Sequence, residues 1–428
     1  MIVYNLFPLL AGPLPGWVPH IERAAAMGFD WLFVNPVQRP GASGSIYSIA
    51  DYFELNSALI EPTDRRSGED QLRWVLGVAR DRGLRPMADL VIDHCAADSE
   101  LVADHRDWIV FDSAGAVIHP SCEQDGNTVE WVDLAKFDHH GTADPEGLYQ
   151  YCLKVVRHLL GLGFEGFRCD AAYGVPAELW RRLIADTKKD RPRTVFVAET
   201  LGCSPWETIA TAGAGFDFVC NSAKWWDFRS HWLLEQHKLI GELVASIAFP
   251  ESHDTPRLAD EMNGNPNASK LWYLFTASFS AGCLMPVGFE FGFRRSLDVV
   301  STRPEYWETT SVDLREFIAA VNRLKAEQPI FSRESSMLLL PSSNPAVLIM
   351  WQGSATLGQE ALLFFNTDFW HDQYVEVSDL RAFVQSGQPL VDVSPEFRMD
   401  YVAVAPFSYQ LRPGQGVVLV TPSPRGSP

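Results

Sequence analysis

A chain of 428 residues is long enough to bury more than one core, and 46% hydrophobic with 21% charged residues is the balance of a soluble globular protein. Its net charge of −19 argues against a phosphate backbone as ligand, which needs clustered Lys and Arg, so no nucleic-acid partner is expected. No run is long and apolar enough to span a bilayer, so no membrane partner is expected either.

The opening segment Met1-Ile2-Val3-Tyr4-Asn5-Leu6-Phe7 is apolar without the basic stretch of a secretion signal. After it a rhythm of helix, glycine and strand sets in. Ile21, Ala24 and Ala25 share one helix face, Gly28 stops that helix, and Trp31-Leu32-Phe33-Val34-Asn35 reads as a strand. Leu72, Val75, Leu76 and Ala79 recur at i, i+3, i+4 and i+7, Gly83 ends the helix, and a strand running to His94 follows. Tyr149, Cys152, Leu153, Val156 and Leu160 repeat the pattern before a strand that ends in Asp170. This alternation predicts right-handed βα units about a parallel sheet rather than an open antiparallel one.

Two segments break the rhythm. Residues 95–145 are polar and irregular, with Trp108, Trp131 and Asp133 among charged clusters, and a long aperiodic stretch inside a compact domain is often functional. From about residue 331 the pattern changes to Val347–Trp351, Ala361–Phe365 and Gly416–Val420, separated by turn formers such as Asn366-Thr367-Asp368, which reads as an all-β sandwich. The last residues, Pro422 to Pro428, are expected to be disordered. Seven scattered cysteines without metal-ligand spacing suggest reduced thiols and a cytoplasmic protein.

Four strand-like runs end in ionisable side chains: Ala88-Asp89-Leu90-Val91-Ile92-Asp93-His94, Gly166-Phe167-Arg168-Cys169-Asp170, Thr194-Val195-Phe196-Val197-Ala198-Glu199 and Ala248-Phe249-Pro250-Glu251-Ser252-His253-Asp254. Apolar runs that finish on charge, separated by helices, are the mark of a parallel barrel with its site at the C-terminal ends of the strands. Side chains alternate along a strand, so Arg168 and Asp170 face the same way, and the guanidinium favours an ionised Asp170. An ionised aspartate there suits a nucleophile for glycosidic chemistry.

In order and spacing these runs resemble the four conserved regions of the alpha-amylase family of glycoside hydrolases. The resemblance covers roughly residues 1 to 295, and Trp131-Val132-Asp133-Leu134 is similar to the family's weaker fifth motif. It implies a (β/α)8 TIM barrel (residues 1–94 and 146–330), a short inserted domain after the third strand (95–145) and a C-terminal antiparallel β-sandwich (331–428). It further implies a retaining enzyme on α-glucans or α-gluco-oligosaccharides that works through a covalent glycosyl-aspartate. Asp170 is then the nucleophile, Glu199 the acid/base and Asp254 a third carboxylate gripping the sugar. His94 and His253 are expected to donate to sugar hydroxyls, Tyr47 to stack on the sugar, and Arg168 to sit beside the nucleophile. Arg257 is expected to close the pocket or to pair with an acidic residue, and Trp225 and Trp226 to be sugar surfaces or plain packing.

Departures from the family pattern bear on the substrate. Asp93 stands where many members carry an asparagine that helps bind calcium, and the inserted segment offers few further ligands, so no cofactor or metal is expected. After the nucleophile the chain runs Ala171-Ala172-Tyr173-Gly174 in place of the frequent Lys-His, which alters the acceptor side. An α-glucan glycosyltransferase, either a glucanotransferase or one using maltose 1-phosphate, is the alternative within enzymes, though no lysine follows Asp170 to hold a phosphate. A catalytically silent glucan-binding protein is the alternative outside them, and it has no need of three carboxylates.

Overall fold

Eight parallel strands close on themselves in the computed structural model, which describes residues 1–124 and 127–422. In chain order they are β1 (Ile2–Leu6), β2 (Trp31–Val34), β3 (Arg85–Leu90), β4 (Gly166–Cys169), β5 (Val195–Ala198), β6 (Phe218–Cys220), β7 (Ala245–Ala248) and β8 (Gly282–Pro286). Each strand hydrogen-bonds its sequence neighbour, and β1 pairs with β8 to seal the ring. The helical periodicities lie where the pattern puts them. Leu72, Val75, Leu76 and Ala79 are all buried in Gly68–Asp81, and Gly83 takes the left-handed φ of 83° that lets the chain turn into β3.

Inward-facing residues stack in layers, because alternate residues of a strand share a face. Val3, Phe33, Met87, Val197 and Ile247 form an apolar plug inside the barrel. Two positions further along their strands stand Asn5, Asn35, Asp89, Glu199 and Phe249, and Arg168 lies level with Asp89 in the β3–β4 register. Apart from Phe249 after β7, the inward-facing sequence thus changes from apolar to polar at one height, and that height is the floor of the site.

Two of the motif strands are shorter than the runs that announce them. The strand expected to reach His94 stops at Leu90, and His94 begins a separate short strand, His94–Ala96, antiparallel to Leu134–Lys136. Val91 and Ile92 prolong the apolar run because both are buried, not because the barrel ladder continues. The run ending in Asp254 leaves the sheet at Ala248, two residues before Pro250, which has no N–H to donate.

The segment expected to be irregular contains short antiparallel pairs, Ser121–Gln124 with Asn127–Glu130 as well as the His94–Ala96 pair. It is tied to the barrel: Phe137 N–H donates to Asp93 O (3.0 Å), and Ser48 Oγ donates to Asp133 O (3.0 Å).

The C-terminal strands are β9 (Ser336–Leu340), β10 (Val347–Ser354), β11 (Gln359–Asn366), β12 (Gln373–Val377), β13 (Val391–Asp392), β14 (Phe407–Leu411) and β15 (Gly416–Val420). They form a five-stranded antiparallel sheet in the order β9-β10-β11-β15-β13 and a β12–β14 pair. Period-two alternation divides the larger sheet between two cores. Met350, Leu363, Phe365, Val418 and Val420 join the core of the barrel helices, whereas Ile349, Leu362, Phe364, Val417 and Leu419 pack with Val375 and Phe407 of the smaller pair. Of the tail expected to be disordered, residues 423–428 lie outside the described residues.

Candidate active site

Arg168 is the hub of the strand ends. Its side chain is buried, and Nη1 donates to Asp89 Oδ1 (3.0 Å) and to Asp170 Oδ1. Nη2 lies 4.0 Å from Glu199 Oε2 and 3.9 Å from Asp254 Oδ2. One guanidinium therefore faces four carboxylates from strands or strand ends β3, β4, β5 and β7: its planar fork bonds Asp89 and Asp170, and Glu199 and Asp254 lie within ion-pair reach. The structure brings Asp170, Glu199 and Asp254 together as the motif order implies.

Backbone geometry joins the nucleophile candidate to the acid candidate. Ala171, directly after Asp170, adopts a left-handed conformation (φ 38°, ψ 46°), which costs a non-glycine residue roughly 1–3 kcal/mol. That turn directs the Ala171 N–H at Glu199 Oε2 (2.9 Å), and Leu201 N–H donates to Glu199 Oε1. The loops after β4 and β5 are pinned through the Glu199 carboxyl.

The three carboxyls are tuned apart. Burial pushes Asp170 up to about 8, reinforced by Asp89 and Asp93 and opposed by Arg168 and His94. Burial also raises Glu199, against the pull of Arg168 and of the two amides. Asp254 is half exposed; enclosure by the pocket works to raise it, but His253 and Arg168 outweigh that and hold it below the usual carboxylate range.

Tyr47 forms the opposite wall. Its hydroxyl donates to Asp89 Oδ2 (2.6 Å), accepts from Asn35 Nδ2 (2.9 Å) and meets His253 Nε2 at 2.5 Å. Its ring lies parallel to that of His253, with centroids 5.7 Å apart. His253 in turn lies 2.9 Å from Asp254 Oδ2. His94 is spoken for at both ring nitrogens, Nδ1 with Asp93 Oδ2 (2.9 Å) and Nε2 with Tyr47 O (3.1 Å), so the expected donation to a sugar hydroxyl has no free N–H behind it.

Arg257 requires a correction. It is not a substrate contact: the side chain is fully buried, with Nη1 on Glu251 Oε1 (2.7 Å), Nη2 on Val287 O (2.9 Å) and Nε on Arg295 O (3.1 Å). The acidic partner, Glu251, also belongs to the fourth motif, and the pair fixes the loop that carries His253 and Asp254. Trp226 resolves as packing, buried against Phe228 and Phe275, while Trp225 is exposed with its edge on Phe249.

Sequence reading gave no role to Asp89, Asn35 or Asn5. The signal was present in Asp89, a charge placed inside an apolar strand run two residues after Met87 and so on the inward face. Asn5 and Asn35 hydrogen-bond each other (Asn5 Nδ2 to Asn35 Oδ1, 2.8 Å) and extend the polar layer to β1 and β2.

Asp93, His94 and Asp170 offer ligand atoms within 4.8 Å of one another, the one such metal-ligating group among the described residues. The set does not fit calcium, which takes six to eight oxygen ligands. Only two of the three residues are carboxylates, and Asp93 Oδ2 is already engaged by His94.

Residues 2–116 match the family described as glycogen debranching enzyme, glucanotransferase domain. An alpha-1,4-glucan:maltose-1-phosphate maltosyltransferase of Burkholderia pseudomallei (strain K96243) is 27% identical over 425 residues, covering 96% of this chain and 35% of its own length. A cyclomaltodextrinase of Geobacillus thermopakistaniensis is 23% identical over 325 residues, covering 69% of this chain and 52% of its own. The chain thus spans about a third to a half of the length of these curated relatives. Among solved structures, the maltogenic alpha-amylase AmyB of Thermotoga neapolitana superposes with a TM-score of 0.77 at 18% identity, covering 98% of both chains. The alpha-amylase of Geobacillus thermoleovorans, solved with acarbose, superposes at 0.75 with 15% identity, covering 99% of this chain and 98% of that one. The fold is theirs, the four motifs sit at the same barrel face that the resemblance assigned to them, and the chain is similar to the alpha-amylase family of glycoside hydrolases, including relatives named as maltosyltransferases.

Proposed function

We propose that the chain is a retaining enzyme acting on α-glucosidic linkages of an α-glucan or α-gluco-oligosaccharide. The observation that carries this reading is the convergence of Asp170, Glu199 and Asp254 on one guanidinium at the C-terminal end of the barrel. Retention needs one carboxylate to attack the anomeric carbon and one carboxylic acid to protonate the leaving oxygen. Asp170 attacks, forming a glycosyl ester as the glycosidic C–O bond breaks. Glu199, whose pKa burial raises, donates its proton to the departing oxygen and then takes one from the acceptor that resolves the ester. Arg168 stabilises the ionised nucleophile, and Asp254, held below the usual carboxylate range, grips the donor sugar as positive charge develops on its ring.

Water or a second sugar can resolve the ester. Transfer is favoured as a second reading by the relative named as a maltosyltransferase, which aligns across 96% of the chain. Incubation with maltoheptaose, beside Asp170→Asn, tests both. Shorter sugars alone, absent with the variant, support hydrolysis of α-1,4 chains, and shorter with longer sugars support transfer. An unchanged substrate sends the test to maltose 1-phosphate as donor, and absence of turnover there as well overturns the enzymatic reading in favour of a glucan-binding role.

A further inference from the structure

Three turns meet at the N-terminal end of the barrel, where the helices Gly68–Asp81, Pro145–Leu162 and Ala177–Asp190 hand over to β3, β4 and β5. They frame a cleft of about 410 Å³. The same three strands lead at their other ends to Asp89, Asp170 and Glu199, so the cleft and the candidate active site lie on opposite faces of the barrel. Four arginines line the cleft, Arg80, Arg85, Arg191 and Arg193, against two acids, Glu165 and Asp190. Both acids are engaged: Glu165 Oε2 accepts from Arg85 Nε (2.9 Å), and Asp190 Oδ2 faces Arg157 Nη2 at 3.6 Å. Among the described residues no carboxylate pairs with Arg80, Arg191 or Arg193. The adjoining helix shows the contrast. On Ala177–Asp190, Arg181 pairs with Glu178, Arg182 with Glu146, Lys188 with Asp217 and Lys189 with Asp186. The pairing stops where the cleft begins, and a chain of net charge −19 carries a local positive excess there.

Backbone contacts hold these arginines in place. Arg80 Nη1 donates to Gly163 O (2.6 Å), and it comes that close because residue 163 is a glycine at φ 114°: a Cβ there would stand 2.8 Å from the same nitrogen. Arg85 lies over the Trp31 ring (4.1 Å) and donates from Nη2 to Arg193 O (2.8 Å). Thr194 N–H closes the turn on Arg191 O (3.0 Å). The turn that carries Arg191 and Arg193 is therefore fixed at both arginines, and a ligand bound there orders side chains alone.

We propose that this cleft binds a small phosphate ester, its phosphate taken by Arg80, Arg191 and Arg193. A guanidinium presents paired N–H donors that match phosphate oxygens, and it stays charged at every working pH. A doubly charged phosphate answers more of the excess than a carboxylate does. The cleft is roomier than a bare phosphate requires, and Leu160 and Pro192 offer apolar surface to the organic part of the ester.

Phenylglyoxal, which modifies arginines, reads the site in the unaltered protein. Glucose 1-phosphate is the probe, and glucose with sodium chloride at the same ionic strength is the control. At ten times its Kd the ester leaves about a tenth of the sites open, so modification of Arg191 and Arg193, followed by peptide mass spectrometry, is expected to slow about tenfold. Ester bound at the other end of the barrel protects neither arginine and cannot imitate this result. Protection no better than the control overturns the site. Orthophosphate is the second arm: protection at a lower concentration than the ester needs overturns the ester in favour of free phosphate. In Arg191→Gln with Arg193→Gln the ester is expected to protect Arg80 no longer, whereas Arg181→Gln with Arg182→Gln removes the same charge next door and should leave protection unchanged. Equal loss in both pairs would reduce the effect to general attraction and overturn the site. The first arm uses the parent, so a variant that fails to fold does not rescue the idea.

Discussion

At the scale of single residues the carboxyls pull stability and chemistry in opposite directions. Asp170 is raised by burial to about 8, so the fold favours its neutral form. That contribution is fully present below the ordinary aspartate value and is lost as pH rises through about 8. Asp170→Asn, neutral at every pH, should melt no lower than the parent, with an advantage that opens between about pH 4 and 8, while turnover falls on the order of 10⁴-fold. Differential scanning calorimetry across pH, run with the maltoheptaose assay, checks both halves. Glu199→Gln should be slow with poor leaving groups and far less impaired with activated ones, and it should lose the alkaline limb assigned to the acid.

Elements decide where these residues stand. The loop after β7 holds its shape through Glu251 and Arg257, both buried and both bonded also to backbone. Arg257→Met leaves Glu251 buried without its charge partner, a loss of about 3–5 kcal/mol. The double change Glu251→Gln with Arg257→Met should recover part of it, measured by urea denaturation. Arg257 also shows where sequence reasoning fell short. A motif at a strand end marks a loop near the site, but whether an arginine three residues on points into the pocket or back into the protein depends on the turn between. Ser252 N–H bonded to Thr255 Oγ1 is part of that turn, and no periodicity announces it. By contrast Arg168 and Asp170 were legible, because two residues on one strand must share a face. Asp89 was legible in principle by the same rule. Tyr47, His94 and His253 stand together at the strand ends, and their contacts with one another cross three loops and are set by tertiary packing that no sequence period announces.

For the whole molecule the architecture was legible because each level of pattern agreed: period 3.6 before glycine, apolar run after it, and period two beyond residue 336. The inserted segment was not, since strands of three or four residues carry too few positions to show a period. The joined core of barrel helices and β-sheet has a consequence for metal dependence. Lys325, buried, donates to the backbone oxygens of Ala277, Ser280 and Phe331, and Gln352 Nε2 donates to Ser278 O (2.8 Å), so the barrel and the sandwich are bound by direct hydrogen bonds as well as by apolar contact. The inserted segment is held by its own strand pair and backbone bonds. Addition of EDTA is therefore expected to leave the melting temperature within 1–2 °C of its starting value, roughly the shift that half a kcal/mol makes in a chain of this size. A fall of several degrees would reinstate a structural cation.

The crowd of acids about Arg168 also sets what will block the pocket. Asp170 and Glu199 are raised towards their neutral forms, and the charge that faces the cleft is that of Asp254, half exposed and held below the usual carboxylate range. A ring mimic that is itself protonated, such as an iminosugar, supplies a cation at the place where the transition state develops its own. Such an inhibitor should bind more tightly than its neutral carbocyclic counterpart, and its advantage should shrink in acid as Asp254 takes up a proton.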